Sequence, residues 1–355
     1  MRRFAWLLAL AFIALVGCVY DQANPYANYH APKIDFPSLD PNRYHWDGLQ
    51  DPFYEGWFFR VAIPDQGRSF AFLYVVLNPG SLDETKRRAF VVVADSEGRV
   101  VRTDFSADDF RGSKHELDVR IGDHNRATTS SVAGDITSGA HHVRWSMNYD
   151  VQETWTDTMG TLTNVPYIPI NWYVGALRGQ ATGMVEWDGK KYSFTNATLF
   201  QDKNWGSLFP TSYIWLQGMN FSDSADAVAF SGGPSSGTLA GMFVWQRGDQ
   251  RFAARTQDLN IITSIDVDPH AGEVEVDIVQ DRQYFILNGR FAGSTPAIMP
   301  APTPNGFDDF SQMALTGELQ ARRYELVNGQ WLLRDNEVST LAGVEIGGQY
   351  NVENP

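Results

Sequence analysis

Gly183-Met184-Val185-Glu186-Trp187 is followed by Asp188-Gly189 and then by Lys190-Lys191-Tyr192-Ser193-Phe194. Two short apolar runs flank a dipeptide that supplies the two φ > 0 residues of a type I′ turn, so the stretch reads as a β-hairpin. Asn288-Gly289 and Asn328-Gly329 sit between apolar runs in the same way and predict further turns. Strand-like runs continue outward on both sides, at 57–63, 69–77, 89–94 and 143–151, then at 192–200, 213–221, 239–246 and 283–291. Residues 106–110 are the one short piece with a helical look. Many strands at short spacing without intervening helices predict antiparallel sandwiches or barrels. Roughly eighteen such runs come close to two eight-stranded barrels. The fold class expected is therefore all-β, with two domains. Ser231-Gly232-Gly233-Pro234 reads as a loop, and so does the Pro-rich segment 295–304, with a lid as its sharper reading.

The N-terminus is a processing signal. Arg2-Arg3 precede an apolar stretch at 4–16, too short for a spanning helix, which closes on Leu15-Val16-Gly17-Cys18. That ending resembles the bacterial lipobox, in which the cysteine becomes the lipidated first residue. Residues 1–17 are then a lipoprotein signal peptide and 18–44 a tether. An N-terminal β domain is expected at 45–177 and a C-terminal one at 178–355. Val19 resembles an outer-membrane sorting signal, which predicts a lipid-anchored protein of the bacterial cell envelope. Cys18 is the single cysteine, so no intrachain disulfide can form. The net charge of −14, spread along the chain, opposes binding to nucleic acid.

Two constellations can carry chemistry. Gln201-Asp202-Lys203-Asn204-Trp205-Gly206 sets a carboxylate, an amine, an amide and an indole side by side at the end of an apolar run. Asp, Lys and Asn disfavour strand interiors, which predicts a loop at a cavity mouth. If the segment is extended, Asp202 and Asn204 share one side, and Lys203 and Trp205 the other. The plainer reading is a polar turn whose Asp and Asn satisfy backbone groups. The second constellation is Tyr54-Glu55-Gly56-Trp57-Phe58-Phe59-Arg60. Glu55 beside Trp-Phe-Phe is at risk of desolvation, which would raise its pKa and let it deliver a proton. The alternative is a strand-end Glu paired with Arg or Lys. A Gly-Trp pair that closes the base of a barrel is the structural reading of Trp57. His115, His124 and His141-His142 lack metal-ligand spacing, so no metal is expected.

Taken together, Glu55-Gly56-Trp57-Phe58-Phe59-Arg60 and Asp202-Lys203-Asn204-Trp205-Gly206, with Phe209-Pro210 and Trp215-Leu216-Gln217 beyond, resemble the tocopherol cyclase family. Phe58 stands where the family usually has Tyr, and Asp202 where it has Glu. The resemblance implies a pair of lipocalin-like barrels packed together, related to carotenoid hydratase-like proteins. It implies acid-driven cyclisation or hydration of a hydrophobic prenylated substrate, with no cofactor. Asp202 and Glu55 are then the candidate acids, with Lys203 and Asn204 orienting. Trp57, Phe59, Trp205, Trp215 and Gln217 are candidates for lining a ligand cavity, where π faces would shelter a cation. Two other readings stay open: a lipocalin-like carrier of a hydrophobic ligand, and a carbohydrate-active protein with paired carboxylates.

Overall fold

A computed structural model describes residues 40–351 except 161, 163–167, 208–209, 223–224, 236, 256–257, 259–261 and 304–305. The expected signal peptide, Cys18, most of the expected tether and Phe209 lie outside the described residues. The first sheet holds β1 (Tyr54–Ile63), β2 (Arg68–Leu77), β3 (Arg88–Asp95), β4 (Val100–Ser106), β5 (Phe110–Gly112) and β6 (Asp118–Ile121). It continues with β7 (Asn125–Thr128), β8 (Ser131–Ser138), β9 (His141–Trp155), β10 (Ile170–Trp187) and β11 (Lys190–Gly206). The second sheet holds β12 (Ser212–Gly218), β13 (Ala227–Ser235), β14 (Thr238–Arg247), β15 (Gln250–Ala254) and β16 (Ile262–Asp268). It ends with β17 (Glu273–Gln280), β18 (Gln283–Arg290), β19 (Ala297–Thr303), β20 (Gly306–Val327) and β21 (Gln330–Gly348). The fold is all-β, two lipocalin-like antiparallel sheets packed on one another.

The first sheet runs β4-β3-β2-β1-β11-β10-β9-β8-β7-β6-β5, and the second β15-β14-β13-β12-β21-β20-β18-β17-β16, with β19 added to β20. All eleven strands of the first sheet feed one apolar cluster, so the sheet curls around its own core. The Thr103 hydroxyl of β4 donates to the Thr137 carbonyl of β8 at 2.9 Å, across the closing side. The second sheet wraps a separate cluster centred on Phe230, Phe243, Trp245 and Phe285. A third cluster lies between the sheets and takes Phe58, Phe90, Trp172 and Phe200 from the first, and Trp215, Met219 and Met313 from the second. Strands β1 to β3 are thus buried on both faces. That is why Phe70-Ala71-Phe72-Leu73-Tyr74-Val75-Val76-Leu77 is continuously apolar rather than alternating.

Most of the punctuation in the sequence is realised. Asp188-Gly189 and Asn328-Gly329 both have positive φ at both residues, as type I′ turns require. Ser106 caps a single 3-10 turn at Ala107–Asp109, accepting from the Asp108 amide at 3.2 Å. Three expectations fail. Asn288-Gly289 lies inside β18, and Ser231-Gly232-Gly233-Pro234 inside β13, because cross-strand partners hold them extended, on both sides for Asn288, Gly289, Ser231 and Gly232. The Pro-rich segment contains β19, an edge strand that buries Ala297 and Met299 against the inter-sheet cluster. Proline is tolerated there because an edge strand needs fewer backbone donors.

The expected boundary at 177/178 falls inside β10. The chain changes sheet at residues 207–211, where pairing partners change but composition does not. Both sheets belong to one compact unit, Leu39–Pro355. Residues 40–44, expected as the end of a tether, are packed against the first sheet. Asn42 and Tyr44 are buried there.

Candidate functional site

Strand β11 runs between β1 and β10, with Asp202 opposite Phe58 on one side and Val174 on the other. The expected loop at a cavity mouth is therefore a central strand. Low β-propensity is overridden because Gln201, Asp202 and Lys203 each find a tertiary partner. Alternation divides the segment between two faces. Phe200 and Asp202 face the layer between the sheets, whereas Lys203 and Trp205 face the core of the first barrel.

On the inter-sheet face, Trp172 Nε1 donates to Asp202 Oδ2 at 2.8 Å and Trp215 Nε1 donates to the same oxygen at 2.9 Å. Among the described residues Oδ1 receives no hydrogen bond. The carboxyl is 2% exposed. Burial pushes its pKa up to about 7, the two indole donors pull it back, and the charge of nearby Glu345 adds to the rise. Around it stand Phe58 and Phe200, each in edge contact with the Trp215 ring at 5.5 Å between centroids. Trp172 in turn receives Trp155 edge-on at 5.9 Å. This is a carboxyl that holds a proton near neutral pH inside an aromatic wall.

The seating of Trp215 depends on a glycine. A Cβ at Gly343 would lie 2.5 Å from a ring carbon of Trp215, so a bare backbone is needed for the indole to lie across β21. Glu345, two residues on, is buried and accepts from the Tyr213 hydroxyl at 2.7 Å. Its pKa is raised, with burial the main cause and the Tyr213 and Ser311 hydroxyls acting against it. Gln217 is buried in the same layer and accepts from Arg60 at 2.7 Å. Arg60 also donates to the Ser69 hydroxyl and to the Leu315 and Leu341 carbonyls, so one guanidinium from β1 ties the second sheet to the first. Burial lowers its pKa to about 9.

The barrel face is organised by charge pairing. Lys203 Nζ lies 2.5 Å from Glu55 Oε1, 2.7 Å from His45 Nδ1 and 3.2 Å from the Pro41 carbonyl, and donates to the Arg43 carbonyl as well. His45 Nδ1 also lies 3.1 Å from Glu55 Oε1, and the His45 amide donates to Glu55 Oε2 at 2.8 Å. The ammonium lies over the rings of Trp57 and Trp205, at 5.0 and 4.8 Å from their centroids, and His45 stacks on Trp205 at 4.1 Å. Burial would raise the Glu55 carboxyl, but the Lys203 charge and the hydrogen bonds from His45 and Lys203 hold it below the usual carboxylate range. Burial brings Lys203 down to about 8 and His45 to about 4. The expectation that desolvation would turn Glu55 into a proton donor is corrected. It is an ion-paired carboxylate, because the sequence placed its counter-ion on the adjacent strand.

The residues expected around one cavity are thus split. Asp202, Trp215 and Gln217 meet between the sheets. Glu55, Lys203, Trp57 and Trp205 meet inside the first barrel, with Phe59 deeper in that core against Tyr74 and Tyr149. Asn204 is half-buried in register with Gly56 and Trp172. The π faces of Trp57 and Trp205 are already occupied by Lys203. Trp57 Nε1 donates to the Asn42 carbonyl at 2.9 Å, which secures the packed N-terminal segment. His141 and His142 pair with Asp188 and Asp135 at 2.8 Å on the exposed rim. Sequence reasoning missed Trp172 and Glu345. For Glu345 a signal existed: a lone acid in Gly343-Val344-Glu345-Ile346-Gly347, an otherwise apolar run. Trp172 carried none, since its partner lies thirty residues away in the chain.

The sequence profile of the family described as tocopherol cyclase-like matches residues 51–164 and 120–348. The chain belongs to the tocopherol cyclase-like family. Both constellations lie within that match. A chloroplastic tocopherol cyclase of Zea mays is 27% identical over 226 residues, 49% of this chain and 48% of its own length. The chain spans about half the length of the curated relatives it matches. Among solved structures, a Nitrosomonas europaea protein designated AttH superposes with a TM-score of 0.52 at 12% identity, over 90% of this chain and 98% of that one. Kievitone hydratase from Nectria haematococca gives 0.50 at 11% identity, over 83% and 88%. These structures share the fold of this tocopherol cyclase-like protein.

Proposed function

We propose that this tocopherol cyclase-like protein is a cofactor-independent acid catalyst acting on a hydrophobic prenylated substrate held between the two sheets. The observation that carries the reading is the buried Asp202 carboxyl, poised at about 7 and held through one oxygen by two indoles. Its proton goes to an alkene carbon of the substrate and leaves a tertiary cation. An oxygen of the substrate, or a water, then bonds to the cation, and its proton returns to Asp202. Protons and charge balance over the cycle, so no redox partner is consumed. The aromatic walls stabilise the cation and limit stray water. The activities named for the plant relative and for one fold neighbour, cyclisation and hydration, fit the two ways of capturing such a cation. Lys203 and Glu55 act here as positioning residues, fixing the strand from behind.

A carrier that merely encloses its ligand needs no carboxyl poised near neutrality, and the apolar wall around Asp202 weighs against a sugar. The test is Asp202→Asn assayed on a prenylated hydroquinone. Turnover should fall by about two orders of magnitude or more, with the native β-sheet circular dichroism retained. Unchanged turnover would remove Asp202 from the chemistry. We also propose that Cys18 carries a lipid anchor at the cell envelope, which the intact mass of the mature protein tests. A mature chain that begins elsewhere, or lacks a lipid mass, defeats this.

A further inference from the structure

The hairpin that joins β20 to β21 carries Trp331, Leu332 and Leu333 at 41, 39 and 51% exposure, three large apolar side chains in a row that the fold leaves in solvent. Residues 326–333 contain no charged side chain, in a chain that is 20% charged. We propose that this hairpin tip is a membrane-docking element that seats in the head-group region of a zwitterionic lipid bilayer. The proposal is independent of Asp202 and of any lipid on Cys18.

Three observations lead there. The first is that both faces of the tip are apolar. Trp331 pairs with Leu326 and Leu333 with Tyr324, so these four share one face, and Tyr284 of β18 joins them opposite Tyr324. That face continues the outer side of the second sheet, away from the core that holds Phe285, Leu319 and Ala321. Tyr284 meets the Tyr324 and Trp331 rings at 5.7 and 5.8 Å between centroids. Leu332 pairs with Glu325 and points the other way. A flat protein partner covers one face of a hairpin. A lipid interface surrounds the tip and covers both, and it favours Trp and Tyr.

The second observation is how far the tip stands clear of its neighbours. Strand β18 accompanies β20 only to Gln283 opposite Glu325, with one further bond from the Leu326 amide to the Arg282 carbonyl. On the other side β12 pairs with β21 only from Gly343 onward, and Thr340 bridges to Asn220. Among the described residues, 330–338 are therefore an open edge. Addition of another strand there is obstructed by the extra residue Arg334, where the register steps from Arg323 opposite Asp335 to Tyr324 opposite Leu333. From Leu333 to Gln330 the strand covers about 10 Å, the depth that an interfacial segment reaches. The open edge keeps the tip among hydrated head groups, because unpaired edges do not enter hydrocarbon.

The third observation is charge. Arg282 is exposed at the base of the tip and donates to the Leu326 carbonyl at 3.1 Å. Among the described residues no carboxylate pairs with it, so its guanidinium is available to a lipid phosphate. Arg334, the next cation along β21, is already paired with Glu325 at 2.9 Å. The base thus offers cationic contact without a basic cluster. That suits a zwitterionic surface, which presents phosphates yet does not repel a chain of net charge −14. Leu49 and Leu82 are more exposed, but each stands singly on a loop beside an acid, Asp47 or Asp83.

The test places one fluorophore on Gln330→Cys in the full chain, with Cys18→Ser so that the label has a single site. Phosphatidylcholine vesicles carrying a nitroxide near the head group should quench it. The same label on Asp123→Cys, in the turn between β6 and β7, should keep its emission. Trp331→Ser combined with Leu333→Ser should lower the vesicle affinity read by that quenching at least about tenfold. Leu332→Ser alone should lower it severalfold, and both variants should keep the native β-sheet circular dichroism. No quenching at position 330, or equal quenching at position 123, would overturn the proposal. So would sensitivity to Trp331 and Leu333 without sensitivity to Leu332, which marks a one-faced partner. Emission at position 330 that changes with protein concentration in the absence of vesicles would assign the tip to a second copy of the chain instead.

Discussion

Asp202 and Lys203 are neighbours in the chain and both are buried, yet the protein treats their charges in opposite ways. Lys203 points into the first barrel and finds a carboxylate, an imidazole and two carbonyls, so a full ion pair persists in an apolar core. Asp202 points between the sheets and finds two neutral indole donors and, among the described residues, no ion-pair partner. Desolvation then has only two neutral donors against it, and the carboxyl takes up a proton. Burial alone does not make an acid. Burial without a counter-charge does, and one step of strand alternation decides which residue gets which.

The largest test breaks the paired side. Lys203→Met leaves the Glu55 carboxylate alone in the core and should cost about 3–5 kcal/mol in denaturant unfolding. Adding Glu55→Gln should recover much of the loss. An equally unstable double variant would mean that packing, not charge, was lost.

The unpaired side should show in the pH dependence of stability. The folded pKa of Asp202, about 7, exceeds the unfolded value near 3.9. Between these values the native state binds the extra proton, so stability falls as pH rises from about 4 to 7 and then levels. The difference between native chain and Asp202→Asn should reach a few kcal/mol at order of magnitude across that window. A flat difference would show that Asp202 is not protonated in the fold.

Two smaller changes sharpen the contrast. Gly343→Ala forces a methyl against Trp215 and should cost about 1–3 kcal/mol by thermal melting. Full retention of the native melting temperature would show that the ring can yield. Trp215→Phe removes one donor from Asp202 Oδ2 and should raise its midpoint by roughly one unit, read by carboxyl carbon NMR. A lowered midpoint would mean that water had entered instead.

Much of the fold was legible because it depends on local chemistry. The 57–63 and 192–200 runs became β1 and β11, and Asp188-Gly189 turned between β10 and β11. The same rules failed at Asn288-Gly289 and at the Pro-rich segment, where cross-strand partners far along the chain outweighed turn chemistry. The site was legible as composition and not as arrangement. Asp202 and Glu55 could both be singled out as acids beside aromatics. Which of them would meet a cation depended on register, since Lys203 lies opposite Trp57, beside Glu55, in the pairing of β1 with β11. Trp172, which helps to hold Asp202, comes from a strand whose contact with β11 nothing local announces.

Pairing β1 with both β2 and β11 also governs when the molecule can be completed. The side chains of Asn42 and Gln201 exchange hydrogen bonds across 159 positions of chain, and Lys203 closes on Pro41 across 162. As the polypeptide leaves the ribosome, β1 to β4 can assemble early, but one edge of β1 stays open until β11 has been made. Asp202 therefore emerges with the strand that seals the first barrel, and its enclosure must wait again for β12 to bring Trp215. The acid is the last part of its own half to be fastened and among the first that the second half covers.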